Sequence, residues 1–127
     1  MIKIVIGGQL EKRSLYDAIK QKHLKCIQII ETDDELESIY LLQSGEVDYY
    51  IGVCMTGSGG ALGLVSSILG NDITFTVSSP VKISDKSEVI RQLELGKRAF
   101  GFCSFSLPHS IDLFLVSLDE YLGHINA

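Results

Sequence analysis

Short apolar runs alternate along the chain with longer segments in which apolar residues recur every three or four positions. The short runs are rich in β-branched or aromatic residues and predict buried strands. They cover residues 2–6, 26–30, 48–54, 72–77 and 98–103. The longer segments predict helices. They cover residues 10–22, 32–45, 59–69, 85–96 and 108–122. The pattern therefore predicts five strand-helix units in strict alternation.

This alternation predicts a single three-layer α/β domain over residues 1–127. Right-handed crossovers between parallel strands place the helices on both faces of one five-stranded parallel sheet. The number of strands favours a flavodoxin-like order, 2-1-3-4-5. In that order strands one and three are neighbours whose helices leave on opposite faces, so a crevice opens between their carboxyl ends. The loops beginning at Gly7 and at Cys54 would border that crevice.

Composition and net charge narrow the class of protein. With 127 residues, of which 46% are hydrophobic and 21% charged, the chain has the makeup of one globular domain. The net charge of −5 argues against nucleic acid or an anionic membrane surface as a partner, since both require a basic face. No signal peptide is recognisable and no apolar run approaches the ~18 residues that span a bilayer, so we expect a cytoplasmic protein.

Basic residues are unevenly distributed. Between Lys25 and Lys82 there is neither Lys nor Arg. An anion bound in that stretch would have to be held by backbone amides and a helix dipole, or by basic groups from elsewhere in the fold. Lys82 is one such group, because it follows the fourth predicted strand at the carboxyl edge of the sheet. Solvated surface charge is its alternative role.

The three cysteines are widely spaced along the chain. Cys26, Cys54 and Cys103 provide neither a disulfide framework nor the paired C-x-x-C spacing of a zinc site. We therefore expect reduced thiols, and no metal or cofactor is predicted. Cys26 and Cys103 are interpreted as structural.

The loop after the third strand is the main candidate site. It runs Cys-Met-Thr-Gly-Ser-Gly-Gly over residues 54–60. Consecutive small residues at the start of a helix direct backbone N–H groups into a common space and form an anion cradle. The candidate ligand-binding residues are Gly7, Gly8, Gln9, Thr56, Gly57, Ser58, Gly59 and Gly60, together with Lys82. Alternatively, the glycines serve only close packing of helix against strand.

Cys54 and His109 are the candidate catalytic residues. Cys54 lies where a helix dipole and backbone amides lower the pKa of a thiol, which would make it a usable base or nucleophile. Its alternative is an inert buried residue, a common role of free cysteine. His109 follows Pro108 at the same edge of the sheet and could reach the crevice as an acid or base. A solvent-exposed position in the first turn of the last helix is the alternative.

Several sharper motifs are excluded by the residues present. A nucleoside-triphosphate loop ends in Lys and Ser or Thr, where this chain has Gly60-Ala61. A cysteine phosphatase loop requires Arg at position 60. The first glycine turn does not continue as the G-x-G-x-x-G of dinucleotide-binding folds. Phosphoryl transfer to Cys54 by the phosphatase route is therefore not expected.

Two family resemblances follow from the same motif. The segment DYYIGVCMTGSGGAL at residues 48–62 resembles the signature of a small bacterial family of unknown function, and residues 3–8 and 96–102 resemble that family as well. More distantly, Cys54-x-Thr56-Gly57-x-Gly59 is similar to the C-G-T-G-x-G segment of the B-type ribose-5-phosphate isomerases and galactose-6-phosphate isomerases. This second resemblance implies an isomerase-B-like fold.

The isomerase resemblance also implies chemistry. It makes Cys54 the base that moves a proton between sugar carbons, with Thr56, Gly57, Ser58 and Gly59 around the enediolate oxygen. The isomerases carry an Asp-His pair after the first strand, where this chain has Gly8-Gln9-Leu10. Their basic phosphate-binding residues have no clear counterpart here.

Three functions remain open at this point. The first is an isomerase-like protein that binds a small polar or anionic metabolite in the crevice. The second is a non-catalytic binding or regulatory subunit with an inert Cys54. The third is a phosphocarrier of a sugar transport system, although the cysteine of such carriers follows the first strand, where this chain has Gly7-Gly8. The fourth and last predicted helices could also form a homodimer or a higher homo-oligomer.

Overall fold

The computed structural model describes residues 2–8, 12–21, 27–32, 34–57 and 59–125. The strands are β1 (Ile2–Gly8), β2 (Ile27–Glu31), β3 (Tyr49–Cys54), β4 (Thr74–Thr76), β5 (Ser78–Ser79), β6 (Lys82–Ile83) and β7 (Ala99–Cys103). The helices are α1 (Lys12–Gln21), α2 (Glu35–Ser44), α3 (Gly59–Leu69), α4 (Lys86–Glu94) and α5 (Leu107–Ile125). Short 3-10 turns cover Asn71–Ile73 and Ser104–Ser106.

The predicted α/β class and five-stranded parallel sheet are confirmed. The sheet has the order β2-β1-β3-β7-β4, and its described pairings are parallel. Relative to the predicted order 2-1-3-4-5, the last two parallel strands have exchanged places. Burial explains the exchange, because every residue of β7 is buried whereas the three residues of β4 are only half-buried. The fully apolar strand takes the interior position and the shorter one takes the edge.

The helices cover the two faces of this sheet with separate cores. One core joins α1, α4 and α5 to the sheet through residues such as Leu15, Val89 and Phe114. The other joins α2 and α3 through residues such as Ile39 and Leu62. The sheet between two helical layers is the predicted three-layer arrangement.

The helix starts follow local capping rules. The Asp34 carboxylate accepts a hydrogen bond from Leu36 N and begins α2, while Gly45 ends that helix with a φ of +83°. Asp34 is thus the capping residue of α2. The nearby Thr32 hydroxyl hydrogen-bonds with the Ser38 hydroxyl. At α4 the Asp85 carboxylate accepts a hydrogen bond from Glu88 N at 2.9 Å.

The segment after α3 differs from its prediction. The predicted strand at 72–77 is divided into a 3-10 turn and the short β4. It is followed by an unpredicted antiparallel hairpin of β5 and β6, which pairs Ser78 with Ile83 and Ser79 with Lys82. Pro80 and Val81 form its turn, and this hairpin lies next to the carboxyl end of β7. In the described ranges, no helix is long and apolar enough to cross a membrane.

Candidate functional site

Cys54 is the last residue of β3, an interior strand of the sheet. Its side chain packs with Leu62 and Val65 of α3 and is only 6% exposed. Its Sγ accepts a hydrogen bond from Gly57 N at 3.1 Å and lies 3.5 Å from Thr56 Oγ1. The sulfur therefore lies between apolar side chains of α3 and the polar groups of its own loop.

Gly57 allows this loop to lie down against the sheet. Its φ is +81°, and a Cβ at this position would come within 2.0 Å of the Ser78 carbonyl oxygen. A Cβ on Gly101 of β7 would come within 2.0 Å of the Gly57 carbonyl oxygen. Close packing therefore accounts for glycine at position 57. The amide of Gly57, predicted to face a ligand, is used to bind Cys54.

Cys103 lies beside Cys54 at the end of the neighbouring strand. The two residues are paired in the register of β3 and β7. Cys103 is fully buried, and its Sγ donates a hydrogen bond to the Met55 carbonyl oxygen at 3.0 Å. Its backbone N–H donates to Ser78 Oγ at 2.8 Å. The sequence prediction treated Cys103 as structural and did not identify Ser78. The sequence does show a cysteine at the end of each of two predicted strands. That the two cysteines are neighbours follows only from the pairing of those strands.

An open cavity of about 470 Å³ lies between the β5–β6 hairpin and the turn that follows β7. It is lined by Ser79, Pro80, Val81, Lys82, Ile83, Phe105 and Ser106. The Ser106 hydroxyl donates to the Cys103 carbonyl oxygen at 3.4 Å, which connects the cavity wall to the thiol pair. The cavity therefore combines one cation, two hydroxyl groups and apolar side chains.

Lys82 is the predicted basic residue that lines this cavity. Two other basic residues near the same edge are engaged in ion pairs. Lys86 Nζ lies 3.0 Å from Glu120 Oε2, and Arg13 contacts the carboxylates of Asp17 and Glu31. Lys82 therefore differs from Lys86 and Arg13 in that it lines the cavity.

The first glycine turn has a different environment. Gly7 is buried beneath Tyr50, since a Cβ here would come within 2.3 Å of the tyrosine ring. The Tyr50 hydroxyl donates to Glu35 Oε1 at 3.1 Å. Gly8 ends β1 opposite Val53. Glycine at position 7 therefore makes room for the buried ring of Tyr50. The sequence did not indicate this contact.

Three more predicted site residues, Gly59, Gly60 and His109, lie at the starts of helices that follow the strands. Gly59 and Gly60 are the first residues of α3. His109 is exposed in the first turn of α5, and the described contacts do not join it to Cys54. Gln9 and Ser58 lie outside the described residues. Among the ranges that the structure describes, no cluster of three or more His, Cys, Asp or Glu side chains could hold a metal ion.

Comparison with solved structures identifies the fold. Ribose-5-phosphate isomerase B from Giardia lamblia superposes with a TM-score of 0.68 and 14% identity, over 91% of this chain and 92% of that one. The Clostridium thermocellum enzyme gives 0.63 and 19% identity, over 95% and 84% of the two chains. The isomerase-B-like fold expected from the motif is therefore confirmed.

Sequence comparison identifies the family. The chain is 29% identical over 116 residues to "Uncharacterized protein YhfU" of Escherichia coli K12, which covers 91% of this chain and 97% of that protein. The same protein of Shigella flexneri matches equally. The family model described as "Protein of unknown function DUF2620" matches residues 2–118, which include β1, the Cys54 loop and β7. The chain therefore belongs to the DUF2620 family.

Proposed function

We propose that this protein binds a small anionic metabolite of sugar-phosphate size at the carboxyl edge of its sheet, and that Cys54 acts there as a base. The observation that carries the proposal is the position of Cys54 Sγ. The sulfur accepts a hydrogen bond from Gly57 N at 3.1 Å. It lies at the end of β3, and the neighbouring strand β7 leads into the turn that lines the cavity. The isomerase B fold is consistent with this chemistry.

The proposed reaction is a proton transfer between adjacent carbons of the substrate. The thiolate of Cys54 removes the proton from a hydroxyl-bearing carbon next to a carbonyl group, and the hydroxyl proton passes to the carbonyl oxygen. The Cys54 thiol, whose proton exchanges with solvent, then protonates the former carbonyl carbon. The intermediate carries negative charge on oxygen. Gly59 and Gly60 begin α3, where backbone N–H groups lack helical acceptors, so their amides are the donors assigned to that oxygen.

Lys82 is assigned to the anionic group of the ligand. The cavity it lines has a volume of about 470 Å³, within the range of roughly 300–1,000 Å³ typical of small-molecule sites. The Ser79 and Ser106 hydroxyls lie on the same wall and donate to the Lys82 and Cys103 carbonyl oxygens at 3.5 and 3.4 Å. Both hydroxyls turn toward the ligand in the proposed complex. A phosphate at Lys82 would leave the carbon chain of the ligand directed toward the strand ends.

Thermal unfolding of the reduced protein with ribose 5-phosphate, other sugar phosphates and small carboxylates tests the binding step. We expect a phosphorylated ligand to raise the Tm and Lys82→Gln to weaken its apparent affinity about tenfold, the effect of ~1.4 kcal/mol. Lys86→Gln is the matched control, because Lys86 is paired with Glu120 and does not line the cavity. Equal losses in both variants, or no stabilisation by any of these anions, would contradict the proposal.

A non-catalytic binding protein is the second candidate. It is favoured by the low exposure of Cys54 and by the use of the Gly57 amide inside the loop. Exchange of substrate carbon-bound hydrogen in D₂O distinguishes the two functions. Catalysis predicts deuterium incorporation that is lost in Cys54→Ser, whereas binding alone predicts none in either protein.

A further inference from the structure

We propose that Cys54 and Cys103 form an oxidisable thiol pair, which peroxide converts to a disulfide between β3 and β7. The disulfide would disrupt the loop that carries the proposed site. Its regulatory effect rests on the proposed function, whereas formation of the disulfide is independent of that function.

Strand register brings the two residues within bonding range. Cys54 and Cys103 are direct partners on adjacent parallel strands. Neighbouring strands lie about 4.8 Å apart, which falls within the Cα separation of roughly 4.4–6.8 Å found in disulfides. Side chains of register partners on parallel strands run side by side, so the two Cβ atoms also lie about 4.8 Å apart. Closing the bond therefore draws the two strand ends slightly together, into the Cβ range of roughly 3.5–4.5 Å found in disulfides.

Both side chains lie on the face of the sheet covered by α3. Cys54 packs with Leu62, and a Cβ on Gly101 would meet the same leucine at 3.0 Å. Cys103 is two residues beyond Gly101 on β7, so its side chain has the same orientation. The two sulfurs therefore approach from the same side.

The hydrogen bonds of the pair assign different roles to the two thiols. Cys54 accepts from Gly57 N and is 6% exposed, so it is the more accessible and more nucleophilic sulfur. Cys103 is fully buried and donates its S–H to Met55 O. Cys54 is thus the residue that peroxide reaches first, and Cys103 is the resolving thiol.

The chemistry balances with hydrogen peroxide as oxidant. The Cys54 thiolate attacks one peroxide oxygen, breaks the O–O bond and forms a sulfenic acid, while the departing hydroxide takes a proton and leaves as water. Cys103 then attacks the sulfenic sulfur, the S–O bond breaks and a second water leaves with the Cys103 proton. Overall, two thiols lose two electrons and two protons, and one peroxide becomes two waters.

The disulfide would change the loop directly. Cys103 can no longer donate to Met55 O, and the Cys54 sulfur ceases to be a thiolate acceptor for Gly57 N. The loop of residues 55–57 thereby loses the contacts that Met55 O and Gly57 N make with the two sulfurs. The same bond removes the base that the proposed reaction needs.

Peptide mapping of the full-length protein after graded hydrogen peroxide tests this pair. We expect a Cys54–Cys103 cross-link within one chain, reversible by dithiothreitol, and no such link in Cys103→Ser. In that variant, dimedone should trap sulfenic acid on Cys54. Recovery of both thiols as free or over-oxidised peptides, without the cross-link, would overturn the proposal, as would a link of either residue to Cys26.

Ligand-induced thermal stabilisation of the oxidised and reduced protein then tests the regulatory consequence. We expect at least a tenfold loss of apparent affinity on oxidation in the wild type and no such loss in Cys103→Ser when over-oxidation is avoided. Unchanged affinity in a fully cross-linked sample would overturn the regulatory role. Failure of the reduced protein to bind any ligand would refute the proposed function, whereas the cross-link is decided by the peptide map alone.

Discussion

At the scale of single residues, Gly57 and Gly45 are glycines for different physical reasons. Gly57 needs both a positive φ and an absent side chain, because the Ser78 carbonyl occupies the space of a Cβ. Gly45 has a similar φ of +83° but open space around it. The sequence motif predicted backbone exposed to a ligand at Gly57. The atom that Gly57 actually accommodates belongs to the protein itself, and only tertiary contacts reveal this.

Alanine substitutions separate these two reasons. Gly57→Ala should lower the free energy of unfolding by about 3 kcal/mol, because backbone strain adds to a clash that the Ser78 backbone cannot avoid. Gly45→Ala should cost only about 1 kcal/mol, because strain acts there without a clash. Urea unfolding measures both values. Equal losses would contradict the close packing of this loop.

Tyr49 gives the fold a pH dependence in the alkaline range. Burial raises the pKa of Tyr49 from 10.0 to about 12, and the nearby Tyr121 and Asp48 add to the effect. The folded state thus holds the phenolic proton more tightly than the unfolded state. This contribution to stability is complete below pH 10 and is lost as the pH rises from about 10 to about 12.

The matching variant is Tyr49→Phe, which removes the titrating group. The wild type should lose about 1 kcal/mol more stability than this variant between pH 9 and pH 11.5, a discounted value because the ring is partly exposed. Tyr40→Phe removes an exposed tyrosine and should behave like the wild type. Urea titrations at the two pH values test this. Identical pH dependence of Tyr49→Phe and wild type would refute the assignment.

At the scale of elements, one side chain joins the α2–β3 connection to β7. Arg98 precedes β7 and donates to the carbonyl oxygens of Leu42 and Val47 at 3.0 Å each, and to that of Asp48 at 3.3 Å. These charged hydrogen bonds satisfy backbone groups of a connection that Asp48 also joins to Lys3 of β1. The arginine therefore fixes the end of α2 relative to the sheet.

Arg98→Met should lower the stability by about 2–3 kcal/mol, since three carbonyl oxygens lose a charged donor. Arg91→Met is the control. Arg91 forms an exposed pair with Glu88 at 3.2 Å within α4, and its loss should cost less than about 0.5 kcal/mol. Chemical denaturation compares the two. A loss at Arg98 no larger than that at Arg91 would contradict its clamping role.

The elements also show which features can be predicted from sequence. Periodicity placed the five helices and the five parallel strands, because each pattern is local and repeats over several residues. The β5–β6 hairpin was missed because each of its strands has two residues, too few for a period. The position of β7 beside β3 was also missed, because strand pairing depends on contacts between residues far apart in sequence. The Cys54–Cys103 pair follows from that pairing and was missed with it.

At the scale of the whole molecule, the fold and the proposed activity have different support. The fold is that of the B-type ribose-5-phosphate isomerases, at an identity too low to transfer their reaction. The motif correctly indicated the fold and the location of Cys54. The proposed binding site depends on three features that meet at one edge of the sheet: the end of β3, the end of β7 and the cavity that Lys82 lines.

An NMR titration of the reduced, ¹⁵N-labelled protein with ribose 5-phosphate tests this arrangement most directly. The account predicts chemical-shift changes concentrated at the amides of residues 54–60, 79, 81–83 and 104–106, with saturation at millimolar concentrations or below. Control residues such as Lys97 and Arg98 at the opposite edge should not respond. Changes confined to that opposite edge, or no changes at millimolar ligand, would contradict the central claim.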